Sequence, residues 1–262
     1  MPSCAPAGLA VAVVVAQGCG VPGRGQLAGR ANDEWIRSYP LAAGGEVQIG
    51  GSSGSVDVQG VGGDTVEVRA ERIARATTDE AARDILPRIS IKEETSSGKV
   101  VLRTEPLGGI VIGVSVEVRY HVRAPGTAAI RIRTGNGAVA VRGFTGRVLV
   151  NSSNGDVTGD DLAGGVEVRT VNGNAKIALA SVGADLIDVR VINGGLTLTL
   201  PPAASANLLA TCTNGSIDVS ALNLESMGEQ TPRRVRGRLN SGGTPIELST
   251  VNGNILVELR AR

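Results

Sequence analysis

Asn-Gly recurs at positions 136, 154, 172, 193, 214 and 252, and the first four intervals between these asparagines are 18, 18, 21 and 21 residues. The dipeptide sits in the matched segments TGNGAVAV, SSNGDVTG, TVNGNAKI, VINGGLTL, TNGSIDV and TVNGNILVEL. Self-similarity at a fixed short period marks one structural unit copied along the chain. Six residues before each Asn stand Ile130, Val148, Val166, Ile187, Leu208 and Ile246; four before it stand Ile132, Val150, Val168, Val189, Ala210 and Leu248. Three after it come Val139, Val157, Ala175, Leu196, Ile217 and Ile255, and five after it Val141, Gly159, Ile177, Leu198, Val219 and Val257. The columns between are mixed or polar, such as Arg133, Asn151, Arg169, Arg190, Thr211 and Ser249 at three before the Asn. Period-two alternation on both sides of the dipeptide means two short strands per unit, apolar side inward.

Two architectures accept such a unit. Asn-Gly is the strongest type I′ hairpin signal, so each unit could fold back as a hairpin. Matching apolar columns from unit to unit favour the other arrangement, a single-stranded parallel β-solenoid whose coils stack about 4.8 Å apart around one continuous core. Stacking then aligns Asn136, Asn154, Asn172, Asn193, Asn214 and Asn252 as a turn ladder, in the way side-chain amides pair along cross-β stacks. Composition agrees with an all-β class. One Trp, two Tyr and one Phe leave the core to Val, Ile, Leu and Ala, and the first two favour strands. The 37 glycines suit frequent tight turns.

The first half is less regular. Val47, Ile49, Val56 and Val58 repeat the register around Ser53-Gly54 as a degenerate unit. Thr77 to Leu86 reads as one short helix with a Thr77/Glu80 capping box, ended by Pro87. Strands are expected around Ile89–Ile91, Val100–Arg103 and Val114–Val122. Residues 46–124 therefore read as a β-rich cap and insert with one short helix, and residues 125–262 as regular coils; terminal repeats are usually atypical.

Ahead of the fold lies an address. Residues 8–16 read GLAVAVVVA, a run too short to span a bilayer and of the length of a signal-peptide core. Gln17 and Gly18 precede Cys19, which resembles a bacterial lipoprotein box. Residues 1–19 are thus expected to be an export signal, with Cys19 lipidated and anchoring the chain to a membrane, and residues 20–45 a Gly-, Ala- and Pro-rich tether. Removal of Cys4 and lipidation of Cys19 would leave Cys212 as the one free thiol and no disulfide framework.

The sequence GGEVQIGGSSGSVDVQG, a helix-bearing insert, VEVRYHVRAP and the serial TVNGN-type coils together resemble the putative adhesin family, a bacterial domain family of unknown function, over residues 33–262. The resemblance implies an exported or membrane-tethered right-handed β-helix associated with surface interaction, and no catalytic motif.

Chemistry is sparse. A net charge of +1, from 26 cationic and 25 anionic side chains, sets up no global field for nucleic acid. No nucleophile elbow, zinc spacing or phosphate loop is present, and neither metal nor cofactor is expected. The sole histidine, His121, lies on the outward side of a strand beside Glu117, Arg119 and Arg123. Cys212 falls in a column with Thr134, Ser152, Thr170, Val191 and Thr250, so a small inward side chain is expected there. Asp160 and Asp161 follow Gly159 in a bend without the nonapeptide of calcium-binding β-rolls. Arg133, Arg169 and Arg190 share one outward column, and Arg233, Arg234, Arg236 and Arg238 form a dense run. Both are candidate anion-binding groups for phosphate or carboxylate of envelope polymers, the plainer reading being solvated strand faces with Glu167, Asp188 and Glu247 as partners.

These features point to a non-enzymatic binding or scaffold module of the cell envelope with an unidentified macromolecular partner. Two alternatives accompany it. One is a self-assembling solenoid, with a strand edge left open after the last coil and Arg260 and Arg262 as gatekeepers. The other is a β-helix polysaccharide-active enzyme, against which stand the absence of an acidic pair and Phe144 as the only aromatic residue from 125 onward.

Overall fold

The structure, a computed structural model, describes residues 27–108, 113–228 and 230–260. In chain order, strands β1 (Gly29–Pro40), β2 (Glu46–Ser53), β3 (Val56–Val61) and β4 (Thr65–Ala76) precede helix α1 (Asp79–Ile85). Next come β5 (Ile91–Ser96), β6 (Lys99–Thr104) and β7 (Ser115–Pro125). Two-strand coils follow: β8 (Ala129–Asn136) with β9 (Val139–Arg142), β10 (Val148–Asn154) with β11 (Val157–Leu162), β12 (Val166–Asn172) with β13 (Ala175–Leu179), and β14 (Ile187–Asn193) with β15 (Leu196–Leu200). After β16 (Ala206–Asn214) and β17 (Ile217–Asp218) the chain makes an excursion through β18 (Leu224–Ser226) and β19 (Arg234–Leu239), then closes with β20 (Thr244–Asn252) and β21 (Ile255–Leu259).

Each coil contributes its first strand to one sheet and its second to another. The ten-stranded sheet runs β1, β4, β7, β3, β9, β11, β13, β15, β21, β17; the eleven-stranded sheet runs β18, β19, β16, β20, β14, β12, β10, β8, β2, β6, β5. Consecutive coils pair in parallel and in register, as Val150 with Val168 and Asn154 with Asn172, with one shift between β11 and β13 at Gly159–Leu162. The fold is therefore a parallel β-solenoid. A type I′ hairpin needs positive φ at both central residues, whereas among the described residues the only non-glycine positions with positive φ are Asp161 and Asn240. The asparagines end their strands extended and the glycine alone turns the chain into the other sheet.

The apolar columns fill the space between the sheets. Ile130, Val148, Val166, Ile187 and Ile246 are each 1% exposed, and the columns beginning at Ile132, Val139 and Val141 are buried with them except at Ile217 and Val219 near the end of the stack. Phe144 and Tyr120 are the largest fully buried side chains, and Tyr120 satisfies its hydroxyl with Thr104 Oγ1 at 2.8 Å. The Ser53-Gly54 unit is a true coil: Ser53 stands opposite Asn136, and Gly54 has φ +126°.

Coil order departs from chain order at both ends. The β2/β3 coil lies between β6/β7 and β8/β9, so within residues 46–124, which together occupy one end of the stack, the coils do not follow chain order. The β20/β21 coil lies between β14/β15 and β16/β17, which makes residues 125–262 a broken rather than a regular series. The reason is local. Strand β19 pairs antiparallel with β16, Ala206 opposite Leu239, and closes one edge of β16, so the returning chain takes the other edge. The last coil consequently leaves no open edge of the kind expected after it, and Arg260 folds back to within 3.6 Å of Asp160 and 3.5 Å of Asp161.

Three local expectations are also corrected. Much of the tether expected over residues 20–45 is strand: β1 pairs with β4 from Gly29–Ala76 to Pro40–Thr65. Its sequence hides this, because an edge strand at the mouth of the core sends inward little more than Trp35 and Tyr39. Helix α1 is capped by Thr78, whose hydroxyl accepts from the Ala81 amide at 3.2 Å, so the Thr77/Glu80 box does not form. Pro87 sits within a single 3-10 turn at Leu86–Arg88 rather than ending the helix outright, and the following strand starts at Ile91, leaving Ile89 as a buried plug. The export signal of residues 1–19 and Cys19 lie outside the described residues. Among the described residues no helix is long and apolar enough to cross a membrane.

Candidate functional site

The corners and outward columns are where this fold offers chemistry. At each corner the asparagine side chain donates to its neighbour along the stack. Asn154 donates to Asn136 at 2.9 Å, Asn172 to Asn154 at 2.8 Å, Asn193 to Asn172 at 2.9 Å, Asn252 to Asn193 at 2.7 Å and Asn214 to Asn252 at 2.8 Å. Asn136 ends the chain of amides on the Ser52 carbonyl at 3.2 Å. Two residues further on runs a shorter ladder missed in the sequence: the Asn174 amide N–H donates to Asp156, Gly195 N–H to Asn174, and Ser216 N–H to Asn254. These groups spend their hydrogen bonds on one another, and so read as structure.

The outer face of the eleven-stranded sheet differs. Following the residues paired across it, one row reads Lys92, Arg103, Gly50, Arg133, Asn151, Arg169, Arg190, Ser249, Thr211, Arg234. Six cations and no carboxylate occupy ten neighbouring strands, a line of roughly 43 Å at the usual strand spacing. The two arginine groups that the sequence keeps apart thus meet in one row through Arg133, Arg169, Arg190 and Arg234, while Arg103 and Lys92 extend it. Of the dense run, Arg236 and Arg238 point from the same strand into parallel rows, and Arg238 is held by Glu225 at 2.6 Å.

Carboxylates lie in the adjacent row. Asp188, whose side chain is 5% exposed, accepts from Arg190 Nε at 2.9 Å and lies 3.7 Å from Arg169, which also pairs with Glu167 at 2.5 Å. The hydrogen bond and charge of Asp188 hold the Arg190 guanidinium above its ordinary pKa, so it stays charged. Among the described residues Arg103, Arg133 and Arg234 have no carboxylate within 4.0 Å. On the other flank the row is neutral: Ser52, Gly135, Ser153, then Val171, Ile192 and Val251, exposed at 41%, 45% and 41%. The middle of this surface is a shallow groove of about 740 Å³ that includes Arg133, Thr134, Arg169, Val171, Arg190 and Ile192.

A family model described as Toastrack DUF4097 matches residues 41–258. This chain belongs to the Toastrack family. The fold is shared with a putative cell adhesion protein from Clostridium sporogenes, at TM-score 0.50 and 12% identity over 88% of this chain and 100% of that one. A putative adhesin from Bacteroides fragilis aligns at TM-score 0.31 and 10% identity over 87% of this chain and 97% of that one. No curated protein matches by sequence.

Other sequence-marked residues of this Toastrack chain are placed as follows. His121 faces out between Asp57 of β3 and Arg69 of β4, at a groove of about 660 Å³ on the ten-stranded sheet where Arg142 binds Asp57 at 2.9 Å and Arg123 binds Glu67 at 3.1 Å. Cys212 is 7% exposed and points inward, its Sγ 3.9 Å from the Pro232 carbonyl. Among the described residues no three His, Cys, Asp or Glu side chains are grouped to hold a metal ion.

Proposed function

We propose that this protein is a non-catalytic binding module of the bacterial cell envelope, exported and lipid-anchored through Cys19, which meets its partner through the outer face of the eleven-stranded sheet. The cation row is the observation that carries the reading. Like charges on directly opposed strand positions are destabilising, as at Lys92–Arg103 and Arg169–Arg190. Glu94, Glu167, Asp188 and Glu247 offset Lys92, Arg169 and Arg190, and Arg103, Arg133 and Arg234 are left as a standing demand for countercharge. A stack of coils in register is rigid, which presents that row without an ordering cost on binding. The apolar run of residues 8–16 before Cys19 and the putative cell adhesion protein from Clostridium sporogenes that shares the fold support display at the envelope. On this face Glu167 and Asp188 are engaged by arginines rather than facing one another as the free acid and base that glycoside cleavage uses.

Fractionation and retention test this. The wild-type chain is expected in the membrane fraction carrying a lipid mass, and Cys19→Ala in the soluble exported fraction. That soluble full chain binds washed envelope fragments. Arg133→Glu with Arg234→Glu lowers its retention at least tenfold, and Lys176→Glu on the opposite sheet leaves it unchanged. A cytoplasmic, uncleaved wild type overturns the address, and equal retention of all variants overturns the face.

A further inference from the structure

Resting on that reading, we infer that the partner is a linear polymer of linked phosphate groups that lies along the solenoid axis on the row from Lys92 to Arg234. Four observations lead there. First, the row is straight and runs across the strands, so its cations are set at multiples of about 4.8 Å: one step separates Arg169 from Arg190, and two steps separate Arg103 from Arg133 and Arg133 from Arg169. Such a line suits a thread bearing charge at regular short intervals, and exceeds what a single small anion can engage.

Second, five of the six cations are arginines, whose planar fork matches phosphate oxygens with two parallel N–H donors. Third, the face has nothing for rings to stack on. The chain's four aromatic residues are Trp35, Tyr39, Tyr120 and Phe144; the first two lie on β1 of the ten-stranded sheet, and Tyr120 and Phe144 are in the core. Single-stranded nucleic acids and sugar chains draw much of their binding from aromatic platforms, whereas a phosphate-linked chain asks only for charge and hydrogen bonds. Fourth, the neutral flank of Ser52, Gly135, Ser153, Val171, Ile192 and Val251 lets the uncharged linkers of such a chain lie beside the arginines without meeting a carboxylate.

The test uses the full-length Cys19→Ala protein and size-fractionated linear inorganic polyphosphate. Affinity is expected to rise with chain length until the chain spans the row and then level off, with log K falling against log salt at a slope of about −3 to −4, the value for about four to six phosphates neutralised on a single chain. Arg103→Glu and Arg234→Glu, towards the two ends of the row, should each weaken long chains at least tenfold and leave short chains less affected. Arg103→Lys should restore most of the loss. Far-UV circular dichroism of each variant confirms that it is folded.

Length-independent binding, or binding unchanged by both end reversals, overturns the inference. So does stronger binding to vesicles containing anionic phospholipid than to polyphosphate at equal phosphate, which would make the face a membrane-docking surface. If polyphosphate fails while envelope retention still depends on Arg133 and Arg234, the binding-module reading stands and this inference alone falls. If retention is indifferent to those residues as well, both fall.

Discussion

At the residue scale the corner explains why Asn-Gly is repeated. Gly173 has φ +145°, and a Cβ there would lie 2.3 Å from the Gly155 carbonyl oxygen of the coil below, so conformation and space both exclude a side chain. The preceding asparagine is fixed by two partners, one above and one below. Just inside it the column Thr134, Ser152, Thr170, Val191, Thr250 turns into the core, and its hydroxyls fare unequally. Thr250 donates to the Gly194 carbonyl at 3.1 Å, but Thr134 Oγ1 and Ser152 Oγ are buried without a hydrogen-bond partner. A buried unsatisfied polar group costs roughly 1–3 kcal/mol, and replacing it with an apolar group of the same shape is neutral or stabilising. Thr134→Val with Ser152→Ala is therefore expected to raise stability by about 1–2 kcal/mol, read from the urea midpoint at unchanged slope. A lowered midpoint would show that these hydroxyls are satisfied.

At the scale of elements the decisive event is the insertion of β20/β21 between coils that precede it in the chain. Every coil offers the same apolar columns, so β14 could accept β16 as readily as β20. Strand β19 breaks the tie by covering β16 on the far side. Cysteine pairs report the outcome directly. Ile192 and Val251 occupy facing positions on β14 and β20, at a separation of about 4.8 Å that suits a disulfide, whereas Ile192 and Thr213 are two strands apart at about 10 Å, beyond its reach. In a chain freed of Cys4, Cys19 and Cys212, Ile192→Cys/Val251→Cys should oxidise readily and Ile192→Cys/Thr213→Cys should not, as seen by mass. The reverse result would put the coils in serial order.

For the whole molecule, the near-zero net charge conceals a row of six cations without a carboxylate on the eleven-stranded sheet, with Glu167, Asp188 and Glu247 in the row beside it. The closed core also sets a pH limit. Burial pushes the Tyr120 phenol up to about 12, with its hydrogen bond to Thr104 opposing in part, and burial followed by the hydrogen bond to Glu93 raises Tyr39 as well. A phenol whose folded pKa exceeds its unfolded value near 10 contributes fully below pH 10 and loses its contribution as pH rises to the folded pKa. Stability should hold to pH 10 and fall by about 2–3 kcal/mol on account of Tyr120 between pH 10 and 12. Tyr120→Phe should begin lower and lose less over that interval. Urea midpoints at pH 9 and 11.5 check this, and identical losses in both proteins would remove Tyr120 from the alkaline limb.

The sequence by itself determined the coil. Alternation around Asn-Gly told which side chains such as Ile130, Val139 and Cys212 turn inward, which such as Arg169 turn out, and that Asn136, Asn154 and Asn172 share one corner. Those properties depend on the two-residue period of a strand and on the matching of columns, both local. Only the tertiary structure decided which coil stacks on which, that Gly29–Pro40 is a strand, and that Arg103, Arg133, Arg190 and Arg234 form one line. Coils with identical apolar columns are interchangeable neighbours, and a polar edge strand carries little pattern of its own. Their positions follow from which backbone edges the rest of the chain has already covered.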